Sequence, residues 1–498
     1  MINRVLIANR GEIARRVIRT CRAMGIETVA VYSDADRDAP HVREADAAES
    51  IGPAPAIDSY LNSARVIGAA RRAGADAVHP GYGFLSENAQ FADACERAGL
   101  IFIGPPAAVI RRMGSKTGAR AMMAAAGVPV VPGETPAAQD VAAVAAAVRA
   151  VGLPVLLKAA AGGGGKGMRV VRDEAGLEES VRAAGSEAAR AFGDGTLYVE
   201  RLIDRARHIE VQIFGDTHGH LVHVMERDCT LQRRHQKVIE EAPAPRLSAA
   251  VRDRITNAAI AAGRAAGYVN AGTVEFLLEG DGDDAQFYFL EMNTRLQVEH
   301  PITEAVTGLD LVRAQILVAS GQPLPFTQAR VQATGHAVEA RIYAEDSRRL
   351  LPQAGRLLRY VEPAGEGIRV DSGVAAGQTV TVHYDPLLAK LIAHGATREQ
   401  AFARLAAALE SYEILGLRHN IAFLRRLIAQ PEVQQIQAHT RFIESCLEEL
   451  SSPPAPEVAR AAAVMAAFAS ARDAEPAAPI DAEAPGIDPW DALGPVSW

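Results

Sequence analysis

The sequence predicts an α/β protein of several domains, and three patterns carry that reading. Short apolar strands alternate with amphipathic helical stretches over residues 1–112. A run of glycines separates two strand-like stretches near residue 160. A strand–turn–strand pattern at 271–291 carries acidic residues. Strand–helix alternation implies a parallel, doubly wound sheet. A chain of 498 residues is long enough to bury several cores.

Taken in order, residues 5–8, 28–32, 77–79 and 101–103 read as the first strands, with helices at 12–24 and 63–73 between them. Residues 113–132 read as mainly helical. Further helices are expected at 398–409 and 418–427. The net charge of −8 argues against a nucleic-acid surface. Cys21, Cys95, Cys229 and Cys446 are scattered with no CxxC pair, so they read as ordinary small buried residues. No apolar run reaches the roughly 18 residues of a membrane span. The N-terminus enters a strand without a signal-peptide pattern. A cytoplasmic protein with no membrane partner is expected.

The glycine run lies at 162–165, between Lys158 and Lys166, with apolar strands on both sides. Successive glycines let backbone N–H groups approach an anion and adopt positive φ. The loop is not a Walker A sequence, because Gly167 follows Lys166 where Ser or Thr is required. It is not a dinucleotide fingerprint either, because a strand follows. It reads as a hairpin flap over phosphates; the plain alternative is a flexible linker.

Residues 271–278 and 286–291 flank a Gly/Asp turn cluster at 280–284. Folding that hairpin about Asp283 sets Glu275 opposite Glu291. Facing carboxylates destabilise a sheet, and a hard divalent cation between them removes the repulsion. The next residues continue the pattern: in the segment EMNTRLQVEH at 291–300, Glu291, Asn293, Arg295, Gln297 and Glu299 alternate with apolar neighbours. An extended backbone through Glu299 would place all five on one face. The plain alternative is a solvated strand face.

With these motifs the chain resembles the biotin carboxylases, ATP-grasp enzymes that carboxylate biotin. The resemblance runs from RVLIANRGEI at 4–13 to about residue 443. It takes in HPGYGFLSEN at 79–88, GSK at 114–116, QRRHQK at 232–237, EEAP at 240–243, EMNTRLQVEH and GHAVEAR at 335–341. The segments ARIYAED at 340–346 and VHYDP at 382–386 look most like the α chains of methylcrotonyl-, geranyl- and propionyl-CoA carboxylases. The resemblance implies a preATP-grasp doubly wound domain at 1–112 and an ATP-grasp fold at 113–324 with a mobile lid at about 133–203. A biotin carboxylase C-terminal α+β domain at 325–446 would follow, then a linker or disordered tail at 447–498.

The resemblance also implies roles. Lys116, Lys158, Gly163, Gly164, Gly165 and Met168 fall at the nucleotide phosphates and flap. Glu200, Arg201 and Ile203 form the adenine hinge, the last two through backbone. His208, Gln232 and His235 line the ribose side. Glu275 and Glu291 hold Mg²⁺ or Mn²⁺ with Asn293 nearby. Lys237, Arg295, Gln297 and the Val298 backbone bind bicarbonate, Glu299 is its base, and Arg341 stabilises the biotin enolate. Tyr82 is either a turn aromatic or a wall of the biotin pocket. His79, His300 and His336 are read as satisfying backbone groups, and Arg233 and Arg234 as salt-bridge or dimer-contact residues. Ala161 stands where the family has glycine, and Arg201 where lysine is frequent.

No Met-Lys-Met segment occurs, so biotin is expected on a separate carrier or on a region beyond a shortened α chain. The expected partners are a biotin carboxyl carrier protein or domain and a carboxyltransferase subunit, in a homodimer or larger complex. Residues 451–498 are rich in Ala and Pro, as in a linker; one helix at 459–471 is conceivable. Two other readings stand beside this one: a different ATP-grasp ligase, and a truncated subunit without catalysis.

Overall fold

The computed structural model describes residues 2–160, 168–452, 463–465 and 467, the side chain of residue 192 excepted. The glycine flap residues 163–165, Ala161 and most of the expected tail, including Trp490 and Trp498, lie outside the described residues. Residues 1–451 cluster as one unit and 452–498 as another. In the second, Ala463, Val464, Met465 and Ala467 are helical and exposed.

The N-terminal strands form a five-stranded parallel sheet in the order Ala47–Gly52, Glu27–Ser33, Arg4–Ile7, Ala77–His79, Ile101–Phe102. The order reverses at Arg4–Ile7, as in a doubly wound sheet. The helix Gly11–Ala23 forms because Ile13, Val17, Ile18 and Cys21 recur at helical spacing on one buried face. Asn62 and Asn88 cap the helices Ser63–Arg72 and Ala89–Arg97 by accepting from the third amide beyond them.

The larger sheet has eight antiparallel strands. Their order is Gln286–Asn293, Asn270–Glu279, Arg207–Gly215, Leu221–Arg233, Gln236–Ala242, His336–Tyr343, Leu387–Gly395, Ile368–Ser372. It runs across the boundary expected at 324/325, because Gln236–Ala242 pairs with His336–Tyr343. Apolar residues of both ends pack on it, among them Ile209, Val211 and Phe276 at one end and Val338, Ile342 and Leu391 at the other. A four-stranded sheet with two helices, Val141–Val151 and Leu177–Phe192, occupies the stretch where a lid is expected. Within it Val155–Ala159 and Met168–Val171, the strands on either side of the glycine run, pair antiparallel with Lys158 opposite Met168.

The ends of the 1–451 unit meet along a seam. Arg15 donates to Ser372 O at 2.7 Å, and Arg19 pairs with Asp371 at 2.8 Å. The Tyr384 hydroxyl reaches Ala54 O and Ser33 Oγ, each at 2.5 Å. A Cβ on Gly373 would lie 2.6 Å from the Glu12 amide nitrogen and 2.9 Å from Gly11 Cα.

One expectation is corrected here. The strand Gln286–Asn293 ends at Asn293, and the polar row does not stay extended to Glu299. The Arg295 guanidinium folds back onto Asn293 Oδ1 and Gln297 Oε1, both at 3.0 Å. Glu299 takes φ −81° and ψ 11° at the head of the helix His300–Thr307, where Pro301 suits a first turn.

Candidate active site

A cavity of about 520 Å³ gathers the candidate residues. Every described one lines it except Glu299 and Tyr82: Lys116, Lys158, Met168, Glu200, Arg201, Ile203, His208, Gln232, His235, Lys237, Glu275, Glu291, Asn293, Arg295, Gln297, Val298 and Arg341. These come from the head of the helix Lys116–Ala125, the strand pair at 155–171, the strand Leu197–Arg201 with the residues after it, six strands of the large sheet with the turn at His235, and the segment after Asn293.

At one end stand the lysines. Ser115 caps the helix Lys116–Ala125, accepting from Gly118 N at 3.2 Å, and this presents Lys116 at the helix head. Burial pulls the Lys116 ammonium below its ordinary pKa, with Glu291 opposing and Lys158 adding to the shift. Lys158 is paired with Glu200, whose other oxygen accepts from Arg120 at 2.9 Å. The Arg201 amide is taken by Pro132 O at 2.8 Å, while its side chain pairs with Glu279 at 2.7 Å.

At the other end lies a buried cluster of charge. Lys237 Nζ sits among three carboxylates, Glu210 at 2.5 Å, Glu299 at 2.6 Å and Glu275 at 2.7 Å. Arg341 donates to Glu240 at 2.6 Å and to the second oxygen of Glu299 at 3.0 Å. Burial would raise the Glu299 pKa, but Lys237, Arg341 and Arg227 outweigh it and hold the carboxyl well below its ordinary range. Glu299 is therefore an ionised group behind the cavity wall, clamped by two cations. Burial, partly offset by Arg341 and reinforced by Glu299, moves Glu240 up to about 7.

Glu275 and Glu291 face each other in register, as the turn about Asp283 predicts. The register slips by one beyond that pair, so Leu290 is a bulge. The two carboxyls differ. Glu275 accepts from Lys237, from Asn293 at 2.9 Å and from Gln297 at 3.0 Å, and His208 Nε2 lies 3.2 Å away. Against burial, Lys237 and His208 hold it well below the ordinary range. Glu291 is open to the cavity and has no hydrogen-bond partner among the described residues. Burial, then Glu275 and Glu87, push its pKa up. Two facing carboxylates, one of them open to a cavity, fit a divalent cation shared between them. His208, Glu210 and Glu275 also cluster at ligand distance, but Lys237 Nζ already bonds both of those carboxylates.

Tyr82 is not brought to this cavity. Its hydroxyl donates to Glu12, and its ring faces Lys390 at 5.9 Å. His79 and His300 bond backbone as expected, through Gly81 N at 3.0 Å and Gln297 O at 2.7 Å. His336 departs from that reading, pairing with the Glu241 carboxylate at 2.8 Å. Arg233 forms a buried salt bridge to Glu345 at 2.6 Å, and Arg234 is exposed. Three partners escaped the sequence reading. Glu87 binds Arg295 at 3.0 Å, Glu210 binds Lys237, and Glu240 binds Arg341. Glu87 and Glu240 lie inside the quoted motifs, and Glu210 shares strand spacing with His208; that placement is their only local signal, and the pairings themselves come from strands distant in sequence.

Comparison with known proteins places the chain in a family. Residues 1–110 match the model of the biotin carboxylase N-terminal domain. Residues 115–327 match that of the carbamoyl-phosphate synthase L chain ATP-binding domain, and 339–445 that of the biotin carboxylase C-terminal domain. The chain is 52% identical to the mitochondrial methylcrotonoyl-CoA carboxylase subunit alpha of Oryza sativa subsp. japonica, over 91% of this chain and 61% of that one. It thus spans about three-fifths of such relatives. It is 49% identical to biotin carboxylase 2 of Bacillus subtilis, over 90% of this chain and 100% of that one. The biotin carboxylase–β,γ-ATP complex of Campylobacter jejuni superposes with a TM-score of 0.86 at 44% identity, covering 89% of this chain and 99% of that chain. The biotin carboxylase domain dimer of Hydrogenobacter thermophilus 2-oxoglutarate carboxylase, solved with MgADP, ADP and bicarbonate, also gives 0.86, at 43% identity and covering 91% and 100%. Matched along nearly its whole described length, and covering complete relatives of that name, the chain belongs to the biotin carboxylase family.

Proposed function

We propose that the chain carboxylates biotin on a carrier, using ATP and bicarbonate, as the first half-reaction of an acyl-CoA carboxylase. The observation that carries this is one cavity lined by Lys237, Arg295, Gln297 and Arg341 together with Lys116 and Lys158, with Glu299 held behind its wall by Lys237 and Arg341. An ATP-grasp ligase of another kind needs Lys116, Lys158 and the facing carboxylates but not the rest of that set.

Lys116 and Lys158 neutralise the nucleotide phosphates, and Lys158 leaves Glu200 to do so. Glu275 and Glu291, with Asn293 beside them, would hold Mg²⁺ or Mn²⁺, which offsets charge on the phosphates. Arg295 offers a planar fork to bicarbonate, and Lys237 and the Val298 amide complete its site. A carboxylate gripped as Glu299 is has low basicity, whereas general-base catalysis works best near the operating pH. When bicarbonate draws Lys237 toward itself, Glu299 loses one clamp, its basicity rises, and it takes the bicarbonate proton. Bicarbonate oxygen then attacks the γ-phosphorus with ADP leaving, and the resulting carboxyphosphate breaks down to CO₂ and phosphate. Phosphate takes the ureido proton, the nitrogen attacks CO₂, and Arg341 stabilises the oxygen charge that develops.

The partners in this reading are a biotin carboxyl carrier and a carboxyltransferase, with residues 1–112, 113–324 and 325–446 as working divisions of the chain. Four free thiols, three of them buried, fit a reducing compartment such as the cytoplasm. Among the described residues no helix is long and apolar enough to cross a membrane. The test is ADP release with bicarbonate, with and without free biotin. Stimulation by biotin is the expected result; release indifferent to both bicarbonate and biotin would overturn the proposal.

A further inference from the structure

The loop between Arg295 and the helix His300–Thr307 is held from behind by two groups that take no part in the mechanism above. His300 is buried, and its Nδ1 lies 2.7 Å from Gln297 O. An oxygen acceptor there requires Nδ1 to carry the proton. Lys390 is wholly buried on the strand Leu387–Gly395, and its Nζ donates to Val298 O at 2.8 Å. The same ammonium lies 3.1 Å from Glu12 Oε2, and the other oxygen of Glu12 accepts the Tyr82 hydroxyl. In the ladder Lys390 is the direct neighbour of Arg341, which holds Glu299.

A planar trans peptide points its carbonyl and the following N–H in opposite directions. Fixing Gln297 O from behind therefore aims the Val298 amide forward, and fixing Val298 O sets the entry of Glu299 into its helix. A fully buried ammonium is costly unless its partners repay the lost hydration. A methionine would fill the same space without that cost, but it could not hold a carbonyl.

We propose that Lys390, held by Glu12, and His300 are positioning residues for the anion loop: they anchor the consecutive carbonyls of Val298 and Gln297 and so aim the Val298 amide and the Glu299 carboxylate at bicarbonate. This rests on the reading that bicarbonate binds beside Lys237, Arg295 and Val298. Glu12 and Tyr82 extend the same brace to the helix Gly11–Ala23 and to the loop after the strand Ala77–His79.

The test measures ADP formation against bicarbonate at saturating MgATP, and against MgATP at saturating bicarbonate. The double variant Glu12→Gln/Lys390→Met removes both buried charges together, so neither is left unpaired. His300→Leu removes the Nδ1 donor, and His300→Asn keeps a donor near the same place. The double variant and His300→Leu should each raise the bicarbonate KM about tenfold or more while the MgATP KM stays within about twofold, and His300→Asn should recover most of the loss. A folded double variant or His300→Leu with the wild-type bicarbonate KM would overturn the proposal. So would an equal rise in both KM values. If the double variant does not fold, the two His300 variants decide alone. Failure of the functional reading looks different, because the wild-type protein itself would then release ADP without regard to bicarbonate.

Discussion

The five-stranded parallel sheet and the eight-stranded antiparallel sheet are buried by different means. The first is packed with Val5, Leu6, Ile7, Val29, Val31 and Val78, all essentially inaccessible. The second has apolar residues too, but its strands also bury Glu210, Arg227, Glu240, Arg341, Lys390 and Asp371. Apolar packing is non-directional and tolerates modest change. Buried charge holds only when each ion keeps its partners. The parallel sheet is thus a platform, whereas the antiparallel sheet fixes the directions of the groups that face the cavity.

The widest gap between the two should come from Arg227, which donates to Glu210, Gln212, Thr303 and Thr273 with no solvent access. Arg227→Met leaves one oxygen of Glu210 without its partner and should cost about 3–5 kcal/mol in chemical unfolding, or prevent folding. A cost below 1 kcal/mol would show that the paired charges are dispensable.

Acid exposes the other sheet. Burial lowers His41, next to the parallel sheet, and His79, on its strand Ala77–His79, from 6.5 to about 4 each. Between those values the unfolded chain binds the more protons, so stability is full above about pH 6.5 and falls as pH drops toward 4. A shift of that size corresponds to roughly 3 kcal/mol per histidine. His41→Phe should flatten the melting temperature over that window; an unchanged slope would dismiss the assignment. Glu12 and Glu240, both raised to about 7, work with the opposite sign, losing stability as pH rises from 4.5 through 7.

Glu299→Gln keeps the size of the group but loses its charge. Biotin-dependent ADP release should fall about a hundredfold, or ~2.7 kcal/mol, with MgATP affinity near normal. Wild-type turnover would remove Glu299 from the mechanism. The smallest effect belongs to the platform: Ile7→Val should cost about 1 kcal/mol in unfolding and leave turnover unchanged.

Local pattern carried much of this structure. The parallel strands, the strand pair with Lys158 opposite Met168, and the Glu275–Glu291 register all follow from periodicity and turn residues. The edge strand Ala47–Gly52 did not show itself, because AAESIG is mostly exposed and lacks alternation. The bend after Asn293 was missed because Arg295 bonds its own neighbours, a choice that alternation does not record. Pattern marked the positions of Glu210 and Glu240 but not their pairing with Lys237 and Arg341. Glu210 and Glu240 look like solvated residues until distant strands enclose them. The pairing of residues 236–242 with 336–343, which carries the large sheet past the expected domain boundary, is likewise a long-range contact without a local signature.

The seam at Gly373 bears on how such a chain can be recombined. Sequence comparison divides it into consecutive pieces at 1–110, 115–327 and 339–445, which invites exchanging the first piece between relatives. The backbone at Gly11 and Glu12 leaves no room for even a methyl group on residue 373, and Arg15 and Arg19 grip residues 371–372. The first piece and a loop some 360 residues later are therefore one fitted joint. A chimera cut between the pieces brings together two half-joints with separate histories, whereas one that carries residues 371–384 along with the first piece keeps the joint intact.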